Sequence, residues 1–232
     1  MLFWVAISLL IGALYFAALF VTILFFFSDK KRQATHAQCY WWADAVIALN
    51  PSWKISVSGL ENIDKNRAYV IVANHQSMAD IIIMYKIKSQ FKWVSKESLF
   101  KIPFLGWTMS LSKHIRLSRG ELSSIRNVYR EAVHWLRSGM SVVFFPEGTR
   151  SDTNEMRQFQ TGAFKLAIKE KVPVLPIAIR GTRYAIPKTS WLIEATKVTA
   201  SLTVLPPIDT SGFQSKDVER LHDIVRSALE RA

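Results

Sequence analysis

Hydrophobic and polar positions divide this 232-residue chain into two regimes. From Leu2 to Phe27 no charged residue occurs, and only Ser8, Tyr15 and Thr22 carry hydroxyl groups. That run predicts one helix about 40 Å long, enough to cross a hydrocarbon core of roughly 30 Å with tilt. A cleaved signal peptide competes with this reading, but no basic residue precedes the run and no clear small-x-small exit follows it. A second segment, about Ala34 to Leu49, carries Tyr40, Trp41, Trp42, Ala45, Val46 and Leu49. It is too short to span and suits an interfacial helix with aromatic rings at headgroup level. Two arrangements stay open: the first helix spans, or both helices form a hairpin within one leaflet.

After Pro51 the period changes. Short apolar or alternating runs at residues 55–58, 69–73, 92–95, 141–145, 174–180 and 199–205 predict strands. Between them a helical repeat is clearest over 121–137, with Leu122, Ile125, Val128, Tyr129, Ala132, Val133 and Leu136 on one face and Gly139 as terminator. Residues 81–84 suit a helix packed in the interior, and a last helix over 216–231 buries Val218, Leu221, Ile224, Val225 and Leu229. The expected organisation is a membrane-anchoring segment, 1–50, followed by one α/β domain, 51–232. Its expected architecture is a mixed sheet flanked by helices.

Half of the residues are hydrophobic, ample for a core of this size. Lys30-Lys31-Arg32 follows the first apolar run at once, and no positive side chain precedes it, which orients the remainder toward the cytoplasm. Thirty Lys and Arg against 18 Asp and Glu give a net charge of +12, all of it after the first apolar segment. Such an excess attracts anionic lipid headgroups, acidic substrates or nucleic acid. Nucleic acid is the weakest partner, because no basic run exceeds three residues and no zinc-finger or RNP-type pattern occurs. The single cysteine, Cys39, excludes an intrachain disulfide and a multi-cysteine metal site.

Two motifs carry chemistry. Asn74-His75-Gln76-Ser77-Met78-Ala79-Asp80 follows the apolar run Tyr69–Ala73 directly. A strand that delivers a histidine and a carboxylate to its C-terminal edge builds a general base and its orienting partner. On a regular helix residues 75 and 80 point about 140° apart, so they meet only if His75 lies at or before the first turn. Ser77, as an N-cap followed three residues later by an acid, supplies that break. Read alone, the same spacing equally suits a plain capping box with a loop histidine. The second motif is Phe144-Phe145-Pro146-Glu147-Gly148-Thr149-Arg150-Ser151. A strand ends there, Pro146 halts the ladder, and Gly148 permits a turn. Thr149 then presents a hydroxyl and Arg150 a planar fork suited to phosphate or carboxylate. A polar turn with a surface salt bridge is the alternative for this motif in isolation.

Together these motifs resemble the glycerolipid acyltransferases, most closely the bacterial 1-acylglycerol-3-phosphate group. The resemblance extends to Lys96–Trp107, continuing through Ile115 to Arg119, and to Val172–Ile177, so that four blocks occur in the family's order. It implies transfer of an acyl group from acyl-CoA or acyl carrier protein to a lysophospholipid hydroxyl, at the cytoplasmic side of a bacterial inner membrane. His75 is implied as the base and Asp80 as its partner. Histidine's ordinary pKa, roughly 6.5, leaves the imidazole largely neutral at cytoplasmic pH, as a base must be. Lys96, Arg119, Glu147, Gly148, Thr149 and Arg150 fall at positions implied to bind the acceptor's phosphate, Glu147 by contact with the acceptor or by bracing Arg150. A backbone N–H near Gly148 or Pro103 is a candidate for the oxyanion. No metal or cofactor is implied, and no Gly-x-Ser-x-Gly occurs to support a serine hydrolase.

His114, His134 and His222 lie outside the blocks and read as packing or surface residues. Lys113, Arg116 and Ser118 depart from the family pattern, which keeps another lysolipid, such as a lyso-ornithine lipid, in play as acceptor. A non-catalytic, membrane-tethered binder of anionic lipid fits anchor and charge equally well, but gives no reason for the His75–Asp80 pair. A hydrolase using water is the third reading.

Overall fold

Strand β2 (Val70–Ala73) is buried on both faces, as its unbroken Val-Ile-Val-Ala run demands, and the sheet is built outward from it. The computed structural model describes residues 2–118, 120–151, 153, 155–186 and 197–232. The other strands are β1 (Trp53–Ser58), β3 (Phe91–Lys96), β4 (Ile115–Leu117), β5 (Ser141–Phe144), β6 (Val174–Arg180) and β7 (Val198–Val204). They form one seven-stranded sheet in the order β1-β7-β6-β2-β5-β3-β4. Pairing is parallel throughout except between β6 and β7, so β1 and β7 run against the other five.

The α-helices among the described residues are α1 (Leu2–Leu24), α2 (Gln33–Ala48), α3 (Ala79–Met84), α4 (Leu105–Leu111), α5 (Leu122–Arg137), α6 (Gly162–Glu170) and α7 (Val218–Arg231). The two-residue period of the strands sorts the core into two layers. Ile71, Ala73, Val143, Leu175 and Ile177 pack with α2 and α3 on one face. Val70, Val72, Val142, Val174 and Ala178 pack with α5, α6 and α7 on the other. The connection from β2 to β3 moves one way across the sheet, with α3 on the first face. The steps β4 to β5 and β5 to β6 move back, with α5 and α6 on the second. Changing face with direction keeps each parallel crossover right-handed.

The expected strands are present within two residues at their ends, and the mixed α/β architecture is as anticipated. The three-residue β4 and the helices α4 and α6 are additions. The last helix begins at Val218, behind a 3-10 turn (Ser215–Asp217) closed by a capping box between Gln214 and Asp217.

The two N-terminal helices form a hairpin. Asp29 caps α2 by accepting N–H bonds from Gln33, Ala34 and Thr35 (2.7–3.4 Å), and Thr22 meets Thr35 across the hairpin at 2.9 Å. Helix α1 also leans on α4, where Tyr15 packs edge-on against Phe104 and Trp107. Its other face, with Leu9, Phe20 and Ile23, is bare. The α2 aromatics do not all point outward as an interfacial helix would have them. Trp41 is exposed, whereas Trp42 is buried and Tyr40 donates to the Ser89 carbonyl at 2.8 Å. The cause is that α2 lies between α1 and the sheet, so most of its circumference meets protein. Lys92 of β3, fully buried, donates to the carbonyls of Lys31 (2.8 Å) and Ser112 (2.7 Å) and lies 4.7 Å over the Trp135 ring.

Candidate active site

Where β2 ends, a side chain takes over from the backbone. The Asn74 carboxamide donates to the Ile179 carbonyl and accepts the Ile179 N–H, both at 2.8 Å, so it continues the pairing with β6. The main chain is thereby released to turn into α3. Within that turn Ser77 Oγ donates to the Ile186 carbonyl (2.9 Å) and accepts from the Ala79 N–H (3.2 Å).

Asp80 sits in the first turn of α3, fully buried. Its Oδ2 accepts the N–H groups of Gln76 (2.7 Å) and Ser77 (2.8 Å) and meets His75 Nδ1 at 2.8 Å. Half of the expected capping box is therefore formed, and the same oxygen also holds the imidazole. An oxygen already accepting two N–H bonds is the acceptor toward Nδ1 as well, which places the ring proton there and leaves the Nε2 lone pair outward. The His75 side chain is 13% exposed. Asp80 Oδ1 is buried without a partner.

Phe145 leaves the β5 ladder one residue before Pro146. Its ring stacks on His75 at 4.0 Å between centroids and 15° between planes. Trp93 stacks on the far side of Phe145 at 5.4 Å and is itself fixed by a bond from its Nε1 to Tyr85 Oη (2.9 Å). One face of the imidazole is thus covered, and an acceptor must approach from the other side or the edge. Neither Phe145 nor Asn74 was singled out by chemistry in the sequence; their only signal is adjacency to the two motifs.

Gly148 adopts φ +68°, the left-handed conformation anticipated for the turn, and its N–H bonds to the Phe145 carbonyl at 3.0 Å. That donor is therefore already engaged. Glu147 is 5% exposed. Its Oε1 accepts the His75 N–H (2.7 Å) and its Oε2 the Arg157 N–H (2.9 Å). Burial pushes its carboxyl above the usual range, opposed by those same N–H bonds. The Ser151 N–H donates to the His75 carbonyl at 2.8 Å, so the loop bearing Thr149 and Arg150, both half-buried, runs beside His75.

Register extends the site along the sheet edge. Val72 pairs Phe144, Trp93 pairs Val143, and Lys96 pairs Leu117. Counting on, Asn74, Pro146, Lys96 and Leu117 share one level at the carboxyl ends of four adjacent parallel strands. In open α/β sheets that is where ligands bind. Exposed Lys96 lies two strand spacings from β2, about 10 Å. Arg119 is outside the described residues. Arg116 turns its guanidinium to Ser110 Oγ (2.9 Å) and over the Phe100 ring (4.8 Å), and Ser118 Oγ bonds the Glu97 carboxylate. His114 is buried, accepts the Trp93 N–H at 3.2 Å, and burial holds its pKa well below the usual value, so it is a packing residue. Among the described residues no cluster of three or more His, Cys, Asp or Glu side chains is placed to hold a metal.

An apolar cavity of about 180 Å³ adjoins the aromatic stack. Trp4, Ile7, Ile11 and Leu14 of α1 and Cys39, Trp42 and Val46 of α2 wall one side, and Met78, Ile81, Trp93 and Ser95 the other. The N-terminal hairpin is thus part of the cavity wall.

Residues 54–180 match the family model described as Acyltransferase. The chain is 35% identical over 206 residues to a 1-acyl-sn-glycerol-3-phosphate acyltransferase of Chlamydomonas reinhardtii, across 88% of this chain and 59% of that protein. It is 30% identical over 177 residues to the 1-acyl-sn-glycerol-3-phosphate acyltransferase of Borreliella burgdorferi, across 76% of this chain and 70% of that protein. The crystal structure of the 1-acyl-sn-glycerophosphate (LPA) acyltransferase PlsC from Thermotoga maritima aligns with a TM-score of 0.75 and 28% identity, over 99% of this chain and 97% of that one. The chain spans only about half the length of the algal and plant relatives it matches, 46–59%.

Proposed function

This chain belongs to the acyltransferase family, and we propose that it moves a fatty acyl group from an acyl thioester to the free sn-2 hydroxyl of 1-acylglycerol 3-phosphate, giving phosphatidic acid. The observation that carries this reading is the His75–Asp80 pair at 2.8 Å, set beside the Thr149–Arg150 loop at one sheet edge. His75 Nε2 takes the hydroxyl proton as the oxygen attacks the thioester carbon. Asp80, buried on the far nitrogen, keeps the tautomer and stabilises the imidazolium. Collapse of the tetrahedral intermediate breaks the C–S bond, and the imidazolium returns its proton to the departing thiolate. No side chain becomes acylated.

Arg150, Lys96 and Thr149, with Arg119, are the groups proposed to hold the acceptor's phosphate; a dianion favours a guanidinium fork and nearby cations. The apolar cavity behind Phe145 and Trp93 takes the acyl chain of the donor, which is acyl-CoA or acyl carrier protein. The bare face of α1 enters an anionic bilayer, with residues 1–50 as the anchoring unit and 51–232 as the catalytic one, on the cytoplasmic side of a bacterial inner membrane. The test is an acceptor panel with purified protein and one labelled acyl donor, comparing lysophosphatidate, lyso-ornithine lipid, glycerol 3-phosphate and water. Fastest turnover with lysophosphatidate is expected. Preference for lyso-ornithine lipid reassigns the acceptor, and no turnover with any of the four returns the chain to a lipid-binding role.

A further inference from the structure

We propose that Glu147 is a positioning residue that locks His75 and the Thr149–Arg150 loop to each other through backbone amides, and is not a ligand of the acceptor's phosphate. The inference rests on the acyl-transfer reading above and assigns one residue of that site a different duty. An ionised carboxylate only accepts hydrogen bonds, as a phosphate dianion does, and the two repel. Glu147 also has little left to offer a ligand: one oxygen takes the His75 N–H at 2.7 Å, the other the Arg157 N–H at 2.9 Å, and the residue is 5% exposed.

Both backbone groups of His75 are held by the same loop. Its N–H goes to Glu147, and its carbonyl receives the Ser151 N–H at 2.8 Å. Only two residues separate Glu147 from Arg150, so the clamp that sets the height of the imidazole also sets where the guanidinium stands. The second oxygen fastens the far end of the loop at residue 157, and the Gln160 N–H closes on the Pro146 carbonyl at 2.8 Å behind it. Base and cation are thereby registered against one carboxylate. Among the described residues, Asp80 from α3 and the Phe145 ring just beyond β5 face the His75 ring, with the Glu147 carboxylate behind its peptide.

The test compares Glu147→Gln and Glu147→Asp in the full chain, in detergent micelles. Gln offers one acceptor oxygen for two N–H donors. Asp keeps the charge but is one methylene too short to reach both, and it serves as the second arm should the Gln form not fold. In both, kcat should fall by about 100-fold, the scale of a 1 Å misplacement, with the KM for lysophosphatidate changing far less. The His75 Nδ1–H proton resonance, identified by its loss in His75→Ala, should shift or broaden in both. A rise of about tenfold in KM with unchanged kcat would instead mark a substrate contact and overturn the proposal. So would an unaltered Nδ1–H resonance. If the wild-type chain transfers no acyl group, the acyl-transfer reading fails by itself, and the resonance alone decides the positioning role.

Discussion

Glu147 and Lys92 are buried charges of opposite sign that do the same kind of work at opposite ends of the sheet. Glu147 collects two backbone N–H groups beyond the carboxyl end of β5. Lys92 offers its ammonium to two backbone carbonyls near the start of β3, opposite Val142. Five residues along β5 separate the two levels, about 16 Å. One clamp fixes the chemistry, and the other fixes the hairpin turn at Lys31 to the sheet. They differ in how their charge is met. The carboxylate is matched at both oxygens by N–H donors from the loops it joins. The lysine has two carbonyls, the Trp135 ring and the nearby Asp29 charge, while Lys113 and Arg32 lie near enough to oppose it. Burial pushes its amine down to about 7. The Glu147 clamp is thus matched oxygen for oxygen, and the hairpin junction is strained by its own cations.

If the active edge works as a unit, its central base is the most costly part to lose. His75→Ala should lower acyl transfer by about 10²- to 10⁴-fold, the usual contribution of a general base, while membrane partitioning is unchanged. Radiolabelled product and a vesicle-sedimentation assay check the two halves; undiminished turnover would remove the proposed mechanism. Asp80→Asn is a finer cut. Oδ1 makes no hydrogen bond, so the carboxamide can set its oxygen at the Oδ2 position and keep all three donors. What changes is the charge, at the cost of an NH₂ group buried without a partner. A loss of about 10- to 100-fold is expected, with the acid limb of the pH–rate profile moved to lower pH, because the imidazolium has lost its counter-charge. A loss without movement of that limb would mean that Asp80 acts by capping α3 alone.

The same contrast explains what was legible in the sequence. The contact between His75 and Asp80, and that of the 147–151 loop with its own strand, lie within a few residues of a motif; the helix period narrows the first to two readings, and the family resemblance favours one of them. The strand at Val174–Arg180 was readable to the residue for a related reason, since a long apolar run buried on both faces admits few alternatives. The β4 strand was not, because three residues carry no period. Helix α6 opens with a glycine and is short, so its stripe is brief. At the hairpin junction, Lys92 looks like one more surface cation; its partners are at 31, 112 and 135, and only the folded topology brings them together. Trp42 misleads for the same reason. An aromatic beside a membrane segment suggests the headgroups, and nothing local reveals that α1 covers it. Glu147 was readable as a site residue, but its bond to a peptide 72 residues away was not.

Breaking the second clamp should cost stability and leave chemistry intact. Lys92→Met preserves much of the side-chain length and apolar stem but leaves the Ser112 and Lys31 carbonyls without their donor. Unfolding free energy should drop by about 1–3 kcal/mol, the penalty of an unsatisfied buried group, reduced by relief of the lysine's own desolvation. Thermal melts in micelles measure it. Trypsin should cut faster at Lys30-Lys31-Arg32, since the turn loses its tether, while kcat per folded molecule stays the same. Unchanged cleavage would show that Asp29 and the Thr22–Thr35 contact hold the turn unaided.

The pH dependence of stability is the sharpest test of the strained junction. Lys92 titrates at about 7 in the folded chain against 10.5 as an ordinary lysine. Between those values the unfolded chain binds a proton that the folded chain lacks, so unfolding takes up a proton and a rise in pH opposes it. This group's contribution to stability therefore grows as pH rises from about 7 toward 10.5, and is level below that window. Other titrating groups are common to wild type and Lys92→Met, with Cys39 the neighbour in that window whose thiol feels the Lys92 charge, so the difference between their melting temperatures reports chiefly on the lysine. Melts at neutral and alkaline pH should show the wild type gaining on the variant as pH increases. A difference that stays flat would mean the amine keeps its proton against burial, Trp135 and the two carbonyls having met its charge in full. The two clamps would then be equals, and the contrast between a matched edge and a strained one would be gone.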